Sequence, residues 1–376
     1  MSTVNLEEIY RRYEFNKTEP ETLVGLIESV IEKSDIIKSN FRRYREIVKT
    51  VYEVLMRENF IHTIELSQSD EHYKKFCGVG IDGSFQYVGG MGGIWYLPIS
   101  CSQVRFEKGL WSEPTVSVAA GIHDINQLEY MNVAKEAEFR MLIGETKAIN
   151  QAATKIDRTR KTVIFIDGPI VDPPWVGAEK RHHQYVKDRC EAIKLCIDKK
   201  ALLIGCVKRI MGSYLINHII DKLAKSDVEK NRAKQFISDM HLITYIFTRF
   251  AFEENKGVFY TSPIDISEAD PAHKLYYKEG IKVCSVLMQK DHSSRPIRLD
   301  IPFRSEKSED GRSRAVDAVK TTALWSYPGQ DIPLPVMLAH EKCNVRRGCA
   351  EVLYAEMITR TTTHDLFDNI VKIKLG

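Results

Sequence analysis

Apolar residues recur at helical spacing between charges from residue 5 to about residue 60, as at Leu23, Leu26, Ile27, Val30 and Ile31. Thr18-Glu19-Pro20-Glu21 reads as the start of the main helix, with proline in its first turn. From Phe76 to Gly121 the pattern changes to apolar and aromatic runs between glycine pairs: Phe85-Gln86-Tyr87-Val88, Ile94-Trp95-Tyr96-Leu97 and Thr115-Val116-Ser117-Val118. That punctuation predicts three antiparallel strands joined by hairpins. A long helix follows from about Leu128 to Ala153, then the apolar run Val163-Ile164-Phe165-Ile166, a basic amphipathic helix from about His182 to Asp198, and the apolar strand Ala201 to Val207. Near the C-terminus, Val336-Met337-Leu338-Ala339 begins a further helix after Pro335.

The element order is strand, strand, strand, helix, strand, helix, strand. It is the order of the ribonuclease H-like fold, and it predicts an α/β chain with a mixed sheet flanked by helices. At 376 residues the chain exceeds the usual single-core size. We therefore expect an N-terminal helical extension over residues 1–75 and a ribonuclease H-like domain with a C-terminal helical segment over residues 76–376.

Two of the apolar runs end on aspartate followed by glycine: Gly80-Ile81-Asp82-Gly83-Ser84 and Phe165-Ile166-Asp167-Gly168-Pro169. Asp-Gly alone is a hairpin signal. Here it closes two strands that the fold sets side by side, and ligand sites in α/β sheets gather beyond strand ends. A carboxylate buried there needs a positive partner, and a divalent metal would be one. The helix between the two strands offers Glu136, Glu138 and Glu145 as a third acid, with Glu138 and Glu145 on one face. Such carboxylates could hold two Mg²⁺ or Mn²⁺ ions about 4 Å apart to hydrolyse a phosphodiester. A third Asp-Gly, Asp310-Gly311, lies in a polar stretch with no strand before it and reads as a loop.

Composition narrows the field. The net charge is +3 with 28% charged residues, so nucleic-acid contact would come from a local patch rather than bulk charge. The eight cysteines include no C-x-x-C pair, which fits a reduced intracellular protein, and His340-Cys343-Cys349 has no common zinc spacing. The N-terminus reads as no signal peptide, and no apolar run approaches the roughly 20 residues that span a bilayer, so a cytoplasmic location is expected. Gly78-Val79-Gly80-Ile81-Asp82-Gly83 satisfies G-x-G-x-x-G, but a dinucleotide site needs those glycines to open a helix, and Ser84 to Val88 continues as strand. There is no P-loop motif.

The chain resembles the NurA family of archaeal and bacterial DNA nucleases from about Cys77 to Glu351. The resemblance rests on Ile81-Asp82-Gly83-Ser84, a glutamate-bearing helix, Phe165-Ile166-Asp167-Gly168-Pro169-Ile170, Ile204-Gly205-Cys206-Val207-Lys208, Arg298-Leu299-Asp300-Ile301-Pro302, and Tyr327-Pro328 followed by Leu338-Ala339-His340. It implies a Mn²⁺-dependent nuclease that cuts single-stranded DNA and resects duplex ends 5′ to 3′. It also implies a homodimer docked on a hexameric HerA-type ATPase in double-strand break repair. By position Asp82, Asp167 and His340 match metal-site residues of the family, with Glu145, or else Glu138, as the helix carboxylate.

Other assignments come from the residues themselves. Lys208 ends a strand at the same sheet edge, where its ammonium could meet a phosphate. Arg346 and Arg347, expected on the His340 helix, and Arg158, Arg160 and Lys161 could track backbone phosphates. Trp175, Trp95 and Tyr185 are candidate platforms for an unpaired base. Two other classes stay open: a catalytically silent DNA-end-binding or translocase-adaptor subunit, and an actin-like ATPase, whose turns read D-x-G where this chain reads D-G-x.

Overall fold

The structure is a computed structural model that describes residues 19–89, 94–126, 132–172, 179–254, 257–304 and 311–361. Its strands are β1 (Ile61–Ile64), β2 (Cys77–Phe85), β3 (Val88–Gly89), β4 (Ile94–Phe106), β5 (Thr115–Asn126), β6 (Thr162–Asp167), β7 (Leu202–Val207), β8 (Val258–Thr261), β9 (Ile264–Asp265), β10 (Ile281–Gln289) and β11 (Ile297–Arg304). They form one sheet in the order β1-β8-β10-β11-β7-β6-β2-β4-β3, with β5 on β4 and β9 on β10. The helices are α1 (Pro20–Arg57), α2 (Val133–Thr154), α3 (Glu179–Asp198), α4 (Tyr214–His218), α5 (Asp227–Ala233), α6 (Asp239–Glu254), α7 (Pro271–Lys278), α8 (Gly311–Trp325), α9 (Leu334–Cys343) and α10 (Arg347–Thr361). No described helix is long and apolar enough to cross a membrane.

The expected order holds from β2 to β7. In the centre, β2 pairs parallel with β6 and β6 parallel with β7, while β4 is antiparallel to β2. A strand covered on both faces must be apolar on both, and β6 shows why it is. Ile164 and Ile166 enter a core shared with α1, α2 and α3, whereas Val163 and Phe165 enter a second core with α8 and α9. β2 divides differently. Cys77, Val79 and Ile81 fill the first core, and the alternate positions Gly78 and Gly80 carry no side chain on the opposite face.

Those glycines serve packing. A Cβ on Gly80 would lie 2.1 Å from the backbone of Pro335, and one on Gly78 would lie 2.3 Å from the Trp325 ring. The bare strand thus lets α9 lie directly against β2, which accounts physically for the G-x-G without a nucleotide. Ser102 Oγ donates to Ala339 O at 2.6 Å and Val345 N donates to Ser84 Oγ at 3.0 Å, fastening the middle of α9 and the segment just after it to the sheet.

Three expectations need revision. The division at residue 75 is no break in packing: Ile47, Val48, Val51, Val54 and Leu55 of α1 lie in the main core, and β1 pairs with β8. The first half of α1 does stand out, with Leu26, Val30 and Ile31 each more than half exposed. Arg346 and Arg347 do not continue the His340 helix, because α9 ends at Cys343 and α10 starts at Arg347. The break lets Cys343 stay buried while Val345 turns to Ser84. The long helix starts at Val133, where Asn132 caps it by accepting from Lys135 N at 3.0 Å, rather than near Leu128, which lies outside the described residues.

Candidate metal centre

The parallel register pairs Ile81 with Ile166, so Asp82 and Asp167 leave neighbouring strands one step later, at the same sheet edge. Because α9 crosses β2 at Gly80, His340 comes over this edge from the other side. Its Nδ1 is 2.7 Å from Asp82 Oδ2 and 3.8 Å from Asp167 Oδ2. One donor atom each of Asp82, Asp167 and His340 lies within 4.8 Å of the others, the group of metal-ligand type found among the described residues.

Each acid has a defined set of partners. Asp82 is 4% exposed. Its Oδ1 accepts from Gly83 N at 2.8 Å, and its Oδ2 faces His340 and the thiol of Cys343, whose Sγ is 3.4 Å away. Burial and then the neighbouring Asp167 charge raise the Asp82 carboxyl above its ordinary range, against the pull of His340 and Cys343. Burial likewise raises the Cys343 thiol, so it acts as an S–H donor to Asp82. Asp167 is less buried and takes Lys208 Nζ at 2.6 Å. His340 faces Asp82 through Nδ1, on a side chain 52% exposed.

The three helix glutamates are told apart by what surrounds them. Glu136 is held by Arg140 Nε and Arg181 Nη2, each at 2.8 Å, and points to no free site. Glu138 is half-buried, and its carboxyl is raised by burial and then by Asp172. Glu145 lies against the end of β2: a Cβ on Gly83 would sit 2.8 Å from its Oε1. Fully buried, its carboxyl is raised well above the usual range by desolvation, with Arg189 opposing and Asp172, Asp82 and Asp167 adding to the rise. It is the helix acid beside the cluster, although it does not join the three-residue group.

Behind Glu145 lies a buried polar knot that sequence reasoning missed. Arg189, fully buried, places Nη1 3.4 Å from Thr146 Oγ1 and Nη2 3.8 Å from Asp172 Oδ2, and Tyr185 OH donates to Asp172. Tyr185 is thus no base platform. Asp172 stands five residues after Asp167, a spacing that carries no signal alone. Cys343, weighed in the sequence only as a zinc ligand beside His340, instead meets Asp82 from its place one turn after His340.

The remaining candidates are dispersed. Trp175 lies outside the described residues. Trp95 packs edge-on to Tyr87 at 5.9 Å. Arg347 pairs with Glu351 at 3.0 Å on exposed α10, beside exposed Arg346. Arg158, Arg160 and Lys161 precede β6, at the end of the strand remote from Asp167.

Two carboxylates and an imidazole converging at an open sheet edge suit a hard or borderline divalent cation such as Mn²⁺ or Mg²⁺, and an added positive charge would relieve the repulsion that raises Asp82. The crystal structure of the NurA nuclease from Sulfolobus solfataricus is similar over 91% of this chain and 99% of that chain, at 13% identity and a TM-score of 0.57, which supports the shared fold. The catalytic domain of human Endonuclease V aligns over 81% of this chain and 94% of that one, at 14% identity and a TM-score of 0.34. No curated protein sequence matches. The sequence profile of the NurA domain matches residues 78–345, a span that contains both strand-end aspartates, the glutamate helix and the helix that delivers His340, and the chain belongs to the NurA family.

Proposed function

We propose that this chain is a divalent-metal-dependent nuclease that hydrolyses DNA phosphodiester bonds. The observation that carries the reading is the convergence of Asp82, Asp167 and His340 at an exposed sheet edge, with Glu145 beside them and Lys208 on Asp167. Asp82, Asp167 and His340 would hold the ion, with Glu145 completing the site for a second. When bound, such ions supply the positive charge that a phosphodiester needs as it is attacked. The chain's own groups do the rest: Lys208 can turn from Asp167 to a phosphate oxygen at the edge that His340 also faces. Family kinship and the fold shared with a NurA nuclease support nuclease activity, which we extend to single-stranded DNA and duplex ends as substrates. We extend the reading to end resection as a homodimer with a HerA-type ATPase, for which the exposed apolar positions of α1 offer a contact surface.

Lys208 gives a specific expectation. Lys208→Met should lower kcat/KM on DNA by about 10²-fold, the scale for losing one positioned donor to developing charge, while Mn²⁺ binding persists. Loss of Mn²⁺ binding in that variant would instead make Lys208 a structural partner of the ligands.

Metal and pH should be linked. A carboxyl whose folded pKa is raised takes up a proton on folding, so its penalty is fully present above the folded pKa and is relieved as pH falls through it toward the ordinary carboxylate range. Metal binding requires the ionised form, so protons compete with it. Mn²⁺ should raise the Tm of the wild type more at pH 8 than at pH 6, by calorimetry. An equal rise at both pH values would place the metal elsewhere.

The proposal as a whole is tested by digestion of end-labelled single-stranded and blunt duplex DNA. Cutting with Mn²⁺ or Mg²⁺ that stops with chelator is the expected result, and ATP hydrolysis without DNA cutting would count against it.

A further inference from the structure

A cleft of about 730 Å³ opens at the edge of the sheet opposite the metal cluster. Two loops form its mouth: residues 155–161, which lead into β6, and residues 199–201, which lead into β7. The strands that carry Asp167 and Lys208 at their C-terminal ends therefore open into this cleft at their N-terminal ends. Phe76 and Tyr73 form part of its wall.

Charge sets the cleft apart. Arg158, Arg160, Lys161, Lys199, Lys200 and Arg314 line it, against two carboxylates, Asp198 and Asp317. Both carboxylates are already engaged, Asp198 by the Arg304 guanidinium and Asp317 by the Tyr73 hydroxyl. The Asp198 charge is met by Arg304, and Asp317, which accepts from a neutral hydroxyl, keeps its own, so six cations face one uncompensated carboxylate in the lining. Lys199 Nζ donates to Thr154 O at 2.8 Å and Arg160 Nη1 to Glu107 O at 3.3 Å, and Lys161 Nζ lies 5.5 Å from the centre of the Phe76 ring. These contacts, to carbonyl oxygens and a ring, orient the cations without cancelling their charge, and Asp157 of the same loop is the carboxylate near Arg160. Arg158 and Lys200 are exposed and form no ion pair among the described residues. Lys200 has a φ of 59°, so its loop is held in a tight left-handed turn at the mouth of the cleft.

A concave surface with this excess of cations binds an extended anion better than a single phosphate, because the charges spread along two loops and a helix. We propose that the cleft holds the phosphodiester backbone of the substrate strand at a second position, remote from the bond being cut. The inference rests on the nuclease reading above. Thr162, which lines the cleft, lies five residues before Asp167 along β6, a span of about 17 Å at about 3.3 Å per residue. A strand engaged at both edges is gripped through phosphates alone, so binding there carries no base preference.

The test uses the full chain with Arg158→Glu and Lys200→Glu combined, and Arg158→Gln with Lys200→Gln as a milder pair. Affinity for a labelled single strand of about 30 nucleotides is measured in chelator across a salt series. The charge-reversed protein should bind about tenfold more weakly near 0.1 M salt, with a plot of log K against log salt shallower by about 1.4, two contacts at roughly 0.7 each. The glutamine pair should fall between it and the wild type. Hydrolysis of bis(4-nitrophenyl) phosphate with Mn²⁺, a diester too small to reach the cleft, should be unchanged. Wild-type affinity and slope in the reversed protein would overturn the proposal. Failure of the wild type to cut any diester would contradict the nuclease reading instead, and the binding comparison in chelator would still decide the cleft.

Discussion

Asp82→Asn should abolish DNA cutting, by at least about 10³-fold in kcat/KM, while the protein stays folded. The side chain keeps its shape, and its Oδ1 can still accept from Gly83 N. What disappears is the charge. Asp167 and His340 would be left as the remaining ligands of the three, and loss of a buried anionic ligand removes the main attraction for a divalent ion. Folding should not suffer to match, because the ionised Asp82 is paid for in burial and in repulsion from Asp167, and a neutral amide removes both. The Tm without metal should lie within a few degrees of wild type, and the Mn²⁺-induced rise should vanish. Inactivity accompanied by a large fall in Tm would show that Asp82 holds the fold together rather than a metal.

Gly80→Ala should damage stability and activity together. Its Cβ would meet Pro335 C and O at 2.1 Å and Val336 N at 2.5 Å, all backbone atoms that cannot rotate away. Ordinary contact needs about 3.4 Å or more, so α9 must move by more than about 1 Å, a displacement that costs about 1–3 kcal/mol when it is overpacking of a core. At about 2.1 cal/mol/K of unfolding entropy per residue, 376 residues give about 1.3 °C per kcal/mol, so the Tm should fall by about 1–4 °C. His340 rides on that helix, and a 1 Å misplacement of a reacting group can cost about 10²-fold in rate. Gly25→Ala is the control: nothing lies within 4 Å of its Cβ, and alanine in an exposed helix should stabilise by about 0.5–1 kcal/mol without touching activity. Wild-type activity in Gly80→Ala would mean that α9 does not set the position of His340.

The centre of this fold was legible in the sequence because its signals are local. An apolar run closed by Asp-Gly marks both a buried strand and its end, and two such runs around one helix implied the juxtaposition of Asp82 and Asp167. The half-sheet from β11 to β1 was not legible. Its strands end on no Asp-Gly, and Arg298-Leu299-Asp300, which carried only the family resemblance, shows its logic when folded, as Arg298 Nε reaches Asp300 Oδ1 at 2.9 Å on the same face of β11. The helix carboxylate stayed open because spacing gives a shared face and not a direction; Gly83, by leaving room for Glu145, supplies the direction. Arg158, Arg160 and Lys161 read as phosphate contacts, but sequence does not say which edge of the sheet a loop occupies. The end of α9 was missed because Asn344 and Val345 break the helix for a tertiary reason, the bond from Val345 N to Ser84.

The central claim is that Asp82 and Asp167 act together on a metal that cuts DNA. It is tested most directly by incubating wild type, Asp82→Asn and Asp167→Asn with end-labelled single-stranded DNA in Mn²⁺ and in chelator. Cutting by the wild type in Mn²⁺ alone, with none by either variant, is the result this structure predicts. Cutting that survives chelator, or that persists in either aspartate variant, would contradict it.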